Sequence, residues 1–530
     1  MEIKSQLYVG LLGIEATGLT ERSIALDIAH ALCLDAGFKV VFHIDLAFDD
    51  HSTVWKIVEQ VPRLDALLVS LRPTAATLLH RLHDAICNRL ENGLSFPIIA
   101  FGGATALAAP KEISAKFPGA IVCSGSVENG FLHLLRRLGV SDEDINGSSQ
   151  LRPLLLNPTT HIAMPAQFST KRCLQAGGSV WIEASRGCLL NCSFCVLSNV
   201  EMFSKWLHRP VGELFDEIAL IQERFGVDYF SFADFSAFET TDYVAAFLAE
   251  RKRRNMTFSF RCDMRLGTAQ KLVDQLVALR DAGLTSVYVG VESVVPEYRR
   301  LYRKLYPGRS IIDYMQSLGI LVCAGFITLD PLHSPEDFRR QIIGIRDERF
   351  LDLIATPFKT MRIQRGTQYE EVAKKSGIID GLTPDLYSYS YHCLNPKMEI
   401  VRQIVEFFHQ TTKDTYYNPY IEGQIRQAGH EDDFVRRLHG ITVRYKEAQM
   451  RLLEELSAIV TRGFGMDRCL QMSLSLAENF CKERRKIFAS TANDYEELLE
   501  NKIPYYHHDL EKFINTYQEI PIFDSELIAL

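Results

Sequence analysis

Along most of its length the chain alternates apolar runs of strand length with amphipathic stretches of helix length. That rhythm dictates parallel sheets covered by helices, because neighbouring parallel strands need a crossover connection between them. From Gln6 to about Gly139 the runs are LYVGLLGI, KVVFHID, LDALLVSLRP, FPIIAFGG and AIVCSG, with helical stretches near Glu21–Ala36, near Ala75–Asn92 and in VENGFLHLLRRLG. They predict a doubly wound, Rossmann-like parallel sheet over residues 1–140. Residues 141–178 are richer in Ser, Pro, Asn and Gly, lack sustained periodicity and read as a linker. Six further strand-like runs follow: SVWIEA, DYFSFA, TFSFRCD, SVYVGVE, ILVCAGFIT and FLDLIATPFK. Their spacing predicts a partial, open (β/α)6 TIM-like barrel over 179–390, with functional groups at the strand C-termini. After Tyr391 the pattern turns helical, which predicts a C-terminal helical domain over 391–530. A chain of 530 residues has room for about three such units.

Composition narrows the function. With 47% hydrophobic and 23% charged residues, the chain is globular and no disordered scaffold. A net charge of -8 argues against nucleic acid as a partner. No stretch approaches the ~18 apolar residues of a membrane span, and the N-terminus lacks a basic leader, so no membrane partner and a cytoplasmic location are expected. The 12 cysteines are mostly scattered singly, like reduced core thiols.

One group breaks that scatter. EASRGCLLNCSFCV, at the end of the first barrel strand, places Cys188, Cys192 and Cys195 in C-x3-C-x2-C spacing. Thiolates select zinc or iron–sulfur clusters, and a closed zinc site needs a fourth ligand that no nearby Cys or His supplies. Three ligands on a 4Fe-4S cluster would leave one iron open to a small molecule. A zinc knuckle borrowing a distant ligand, or plain core thiols, are the alternatives.

This loop resembles that of the radical S-adenosylmethionine (SAM) enzymes, whose defining motif is C-x3-C-x2-C after the first barrel strand. The match extends to Phe194 before the last cysteine, which in the family packs near the SAM adenine, and to the later strands: Asp234 in FADFSAF, Arg261 in FRCD, Gly290, Glu292 and Ser293 in VGVES, Thr328 in FITLDPLHSPED, and the turn in RIQRGTQYEEVAKKSGI. The resemblance implies a 4Fe-4S cluster held by the three cysteines and SAM held by these residues. Glu292 suits the ribose hydroxyls or the ammonium of SAM, Arg261 its carboxylate, and Ser293 and Thr328 further hydrogen bonds. At any one position the alternative is an ion pair or turn inside the barrel.

The preceding segment resembles the cobalamin-binding domain of cobalamin-dependent radical SAM enzymes. In such sheets a ligand sits at the carboxyl ends of the strands, where this chain has Ser70, Leu71 and Arg72, then Gly102 and Gly103, then Ser124 and Gly125; taken singly, the glycines could merely serve turns. The chain departs from the pattern twice. The first loop, GIEATGLTERS, has no histidine to coordinate cobalt from below, so a corrinoid with no His lower ligand is expected. Ser124–Glu128 also replaces the usual Gly-x-Gly-Glu turn. His51, in Asp49-Asp50-His51, follows the wrong strand. Arg72 or Leu71 would then face the lower side of cobalt, or Arg72 would pair with a carboxylate or a corrin amide.

The resemblance implies methylation of an unactivated sp3 carbon of a small-molecule or peptide intermediate in natural-product biosynthesis, through a 5'-deoxyadenosyl radical and methylcobalamin. It also implies a flavodoxin- or ferredoxin-type electron donor. Alternatives are a rearrangement, ring contraction or epimerisation with the same cofactors, and a cofactor carrier serving a partner enzyme. Tyr387–His392 and Tyr505–His508 could border the substrate, although such stretches are more often surface.

Overall fold

The computed structural model describes residues 7–14, 23–46, 49, 51–73, 75–123, 125–147, 151, 162–175, 180–200, 204–304, 306–412 and 432–489. Ser124, residues 15–22 of the first loop and the Tyr505–His508 stretch lie outside them.

The first five strands are β1 (Tyr8–Ile14), β2 (Lys39–Asp45), β3 (Ala66–Leu71), β4 (Ile98–Gly102) and β5 (Ile121–Val122). They form one parallel sheet in the order β2-β1-β3-β4-β5. The apolar runs are continuous because both faces are covered. Val9, Leu11, Ala66 and Leu68 face the core beneath helices Ile24–Asp35 and Val127–Arg137. Leu12, Ile14, Leu67, Val69 and Leu71 face the opposite core beneath helices His51–Gln60 and Leu79–Glu91. In the order 2-1-3-4-5 the connections reverse direction between β1 and β3, so the crevice for a ligand opens at the carboxyl ends of these strands.

The second parallel sheet runs β12-β11-β10-β9-β6. Its strands are β6 (Trp181–Ile182), β9 (Tyr229–Phe232), β10 (Ser259–Asp263), β11 (Leu284–Glu292) and β12 (Leu321–Phe326). A small antiparallel pair, β7 (Ser185–Arg186) with β8 (Leu207–His208), brackets the cysteine loop. The sixth strand-like run, FLDLIATPFK, takes the sixth place without forming a regular strand. It touches β12 through Ala324 N–H to the Leu353 carbonyl (2.8 Å) and the segment after β12 through Leu329 N–H to the Lys359 carbonyl (3.0 Å). Pro357 in this segment has no N–H to give to a ladder.

Helices Pro396–Thr412, Asp432–Thr461 and Met466–Ala489 follow. Their apolar faces share one core with the barrel, running from Val180 through Phe358 to Phe480. Arg346 ties the barrel to helix Asp432–Thr461 through Glu447 and Glu454. No described helix is long and apolar enough to cross a membrane.

The stretch 141–178 carries more structure than its composition suggests, with helices Asp142–Gly147 and Phe168–Gln175. Buried Asp27 accepts hydrogen bonds from the Ser169 amide (3.1 Å) and hydroxyl (2.7 Å), and Gln167 Nε2 donates to Glu217 Oε1 of the barrel (3.4 Å).

Candidate active site at the barrel mouth

The cysteine loop leaves β7 and turns back over the barrel mouth. None of the three thiols is in a disulfide. Burial pushes the Cys192 thiol up to about 11, with Glu292 and the other two cysteines adding to the rise and Lys304 opposing it. Burial raises Cys195 as well, and Cys188 adds to it. The three thiols therefore share one electrostatic neighbourhood, in which Lys304 and Arg265 are the cations. Among the described residues no three His, Cys, Asp or Glu side chains are grouped to hold one metal ion. An all-thiol donor set flanked by two cations suits the net negative charge of a thiolate-bound iron–sulfur cluster.

The loop is fastened from two sides. Ser198 Oγ lies within hydrogen-bonding distance of the Cys192 and Cys195 carbonyls (3.0 and 2.7 Å). The Val196 amide donates to Gln364 Oε1 (3.3 Å), and Gln368 donates to Asn191 (3.1 Å). The RIQRGTQ turn thus braces the cysteines. Two residues before Cys188, Arg186 forms a bidentate pair with Glu183 (2.8 and 2.8 Å) and reaches Glu128 Oε2 (2.8 Å) on helix Val127–Arg137.

Phe194, Tyr288, Glu292, Gly325, Phe326, Thr356 and Gln364 are among the residues lining one cavity of about 490 Å³, within the range of ligand pockets. Glu292 enters it at the bulged end of β11 with φ +67° and pairs with Lys304 (3.2 Å). A side chain at Gly290 would sit 2.3 Å from both Glu292 Oε1 and Lys304 Nζ, so the glycine makes room for this pair. Thr328, which follows the cavity residue Ile327, is buried, and its hydroxyl has no hydrogen-bond partner among the described residues, as a group awaiting a ligand would. Arg261 Nε donates to Ser231 (2.7 Å), and its guanidinium lies over the Trp181 ring at 4.7 Å.

Two predicted SAM positions are placed otherwise. Ser293 is fully buried in the turn after β11, where its hydroxyl donates to Gln341 (2.8 Å) and accepts from the Val295 amide (3.0 Å). Asp234 is buried and accepts from the Ala184 amide (3.1 Å), holding the start of the cysteine loop from behind.

Burial pushes the Asp234 carboxyl up to about 7. Between the ordinary carboxylate range and about pH 7 the folded chain keeps a proton that the unfolded chain has released, so this group's contribution to stability falls as pH rises through that window. Asp234→Asn retains an acceptor for the amide and does not titrate. Its melting temperature should fall by several degrees less than the parent's between about pH 5 and pH 8, measured by thermal denaturation of the iron-free chain.

In the first domain, Ser70, Gly102, Gly103 and Gly125 line a small, largely apolar cavity together with Cys123, Ser126 and Gly130. A Cβ on Gly103 (φ +92°) would stand 2.4 Å from the Leu71 carbonyl oxygen, and one on Gly130 2.6 Å from Cys123 Sγ. Side chains there would fill the cradle. Leu71 does not line it; its side chain belongs to the opposite core. Arg72 pairs with Asp45 (3.2 Å), the carboxylate alternative for that residue. His51 is exposed at the start of its helix.

The sequence reading missed Lys304, which sits in the polar run RRLYRKLY and looks like solvated surface; only the fold turns it inward. It missed the Arg186–Glu128 pair as well, since nothing in either residue's neighbourhood announces a partner 58 residues away.

Residues 182–341 match the family model of the radical SAM superfamily. Comparison with curated proteins finds no match. The structure of the cobalamin-dependent S-adenosylmethionine radical enzyme OxsB with aqua-cobalamin and S-adenosylmethionine bound superposes with a TM-score of 0.74 at 15% identity, covering 97% of this chain and 84% of that chain. The radical S-adenosylmethionine methyltransferase TsrM from Kitasatospora setae, with tryptophan substrate and a SAM analog bound, gives 0.52 at 16% identity, over 70% of this chain and 76% of that one. The chain therefore carries a radical SAM domain set within the fold of cobalamin-dependent radical SAM enzymes.

Proposed function

We propose that this protein is a cobalamin-dependent radical SAM enzyme that methylates an unactivated sp3 carbon of a small-molecule or peptide natural-product intermediate in the cytoplasm, with electrons from a flavodoxin or ferredoxin. The observation that carries the reading is the joining of the two sites: Glu128, just past the loop that borders the first-domain cavity, is bound to Arg186, just before the first cysteine. The helix that follows β5 and the segment that leads into the cysteine loop thus meet. The close fit of Gly290 against Glu292 and Lys304, and the buried Thr328 hydroxyl with no partner among the described residues, also support the reading.

In this reading Cys188, Cys192 and Cys195 hold the cluster; Phe194, Arg261, Gly290, Glu292 and Thr328 hold SAM; and Ser70, Gly102, Gly103 and Gly125 hold the corrinoid, with Ser124 beside them in sequence. Cluster, SAM and corrinoid supply a carbon-centred radical and a transferable methyl group when bound. The chain contributes orientation and water exclusion. Glu292 offers a carboxylate to the ribose or ammonium of SAM, Lys304 pairs with that carboxylate and holds it in place, and Phe326, Ile327 and Ile354 contribute apolar wall to the cavity.

The test is a reaction of anaerobically reconstituted protein with SAM, a reductant and candidate substrates. Methyl transfer yields S-adenosylhomocysteine together with 5'-deoxyadenosine; a rearrangement yields the second without the first; a carrier yields neither. His51→Ala should bind hydroxocobalamin as the parent does, since the residue is exposed and outside the cavity. Loss of the corrinoid absorption in that variant would give His51 a role denied to it here.

A further inference from the structure

Behind the cysteine loop lies a polar cluster that no role above uses. Asp330, in the loop after β12, is fully buried. Its carboxylate accepts from the Tyr302 hydroxyl (2.7 Å), the Tyr369 hydroxyl (2.6 Å) and the Leu332 amide (2.8 Å). Burying a carboxylate costs several kcal/mol unless donors replace its water, and here three donors do so.

The tyrosines come from different units of the barrel. Tyr302 follows helix Pro296–Leu301, and Tyr369 lies at the start of helix Gln368–Lys375. Both end on one residue of the cysteine loop. The Ser193 amide donates to the Tyr302 carbonyl (3.0 Å), the Ser193 carbonyl accepts from the Tyr369 amide (2.7 Å), and the Ser193 hydroxyl donates to the Leu301 carbonyl (2.7 Å). The Phe194 ring meets Tyr302 edge-on at 5.7 Å. Ser193 and Phe194 are the two residues between the second and third cysteines, so every polar group of Ser193 is committed to segments that Asp330 joins.

We infer that Asp330 is the positioning residue of the cluster loop: through Tyr302 and Tyr369 it fixes Ser193, and with it the relative placement of the Cys192 and Cys195 thiols and the Phe194 ring. This rests on the reading of the three cysteines as cluster ligands. The neutral His333 ring, whose Nδ1 accepts from the Asp330 amide (3.1 Å), completes the surroundings, and burial keeps that imidazole uncharged.

The test uses the full chain reconstituted with iron and sulfide, with the double variant Tyr302→Phe/Tyr369→Phe, which keeps both rings and removes both hydroxyls, and with Asp330→Asn should the double variant fail to fold. Three quantities are read: melting of the iron-free chain, the chelator concentration that strips half the iron, and the EPR spectrum of the reduced cluster. The expected result is a chain that still melts cooperatively but loses its iron at a roughly tenfold lower chelator concentration, the lower end of what outer partners of metal ligands contribute, with an altered EPR line shape. Parent-like chelator resistance and EPR spectrum in a folded variant would overturn this inference alone. A parent chain that takes up no cluster overturns it together with the reading beneath it.

Discussion

Cys192→Ala leaves a folded protein that lacks the brown cluster chromophore and produces no 5'-deoxyadenosine from SAM. The thiol lies deep in the shared neighbourhood of the loop, under the influence of both other cysteines, Glu292 and Lys304. Without it only two thiols of the loop remain, one short of the three that the motif supplies. A cluster needs its thiolates, and the affinity they supply is not recovered from solvent. The fold should survive, because the core beneath the loop is made by Phe230, Phe260 and Val289 rather than by the cysteine. Cys469→Ala is the matched control. That thiol is fully buried among the C-terminal helices, packs as a small apolar group, and should leave the brown chromophore and SAM cleavage at parent levels. Iron and sulfide analysis with anaerobic product assay decides the matter. A Cys192→Ala protein with full iron content, or a Cys469→Ala protein without it, would break the assignment of the cluster to this loop.

The parallel strands were legible in the sequence because buried strands read as unbroken apolar runs, and LYVGLLGI and SVYVGVE have no competing helical reading at that length. FLDLIATPFK misled because its composition is that of a strand, while Pro357 gives no N–H to a ladder and the run makes only scattered bonds to β12 and the segment after it among the described residues. Residues 141–178 misled in the opposite sense, since their order comes from distant partners such as Asp27 and Glu217 that composition does not reveal. At the site, motif spacing singled out the three cysteines and Glu292, and the fold brings these four into one neighbourhood. Ser293 and Leu71 carried the right letters in the right motifs but point into a turn and a core. Asp330 was quoted within FITLDPLHSPED without being singled out, because its meaning lies in two tyrosines from other units of the barrel.

Arg186→Met should destabilise the protein by roughly 3–5 kcal/mol, the range for removing one partner from a buried ion pair. Arg186 is 9% exposed, Glu128 not at all, and Glu183 17%. The guanidinium directs Nε and Nη2 to Glu183 and Nη1 to Glu128, so its loss leaves both carboxylates without their shared cation and Glu128 with backbone amides, Ala163 (3.0 Å) among them, as its remaining donors. Burial alone would raise the Glu128 carboxyl, but the guanidinium and the amide outweigh it and hold the group below the usual carboxylate range. Its stabilisation is therefore present at neutral pH and lost as pH falls through the depressed value. Glu128→Gln should cost less than Arg186→Met, since the amide oxygen still accepts from Ala163 and no orphan charge remains on that side. The double variant should be less destabilised than the sum of the two singles, because the guanidinium and carboxylate fail together. Denaturant melts of the four proteins, iron-free to keep cluster loss out of the measurement, give the coupling directly. A loss below about 1 kcal/mol for Arg186→Met, the value of an ordinary exposed pair, would mean that the cysteine loop is not locked to the first domain through this side chain, and the joining of the two sites would need another physical basis.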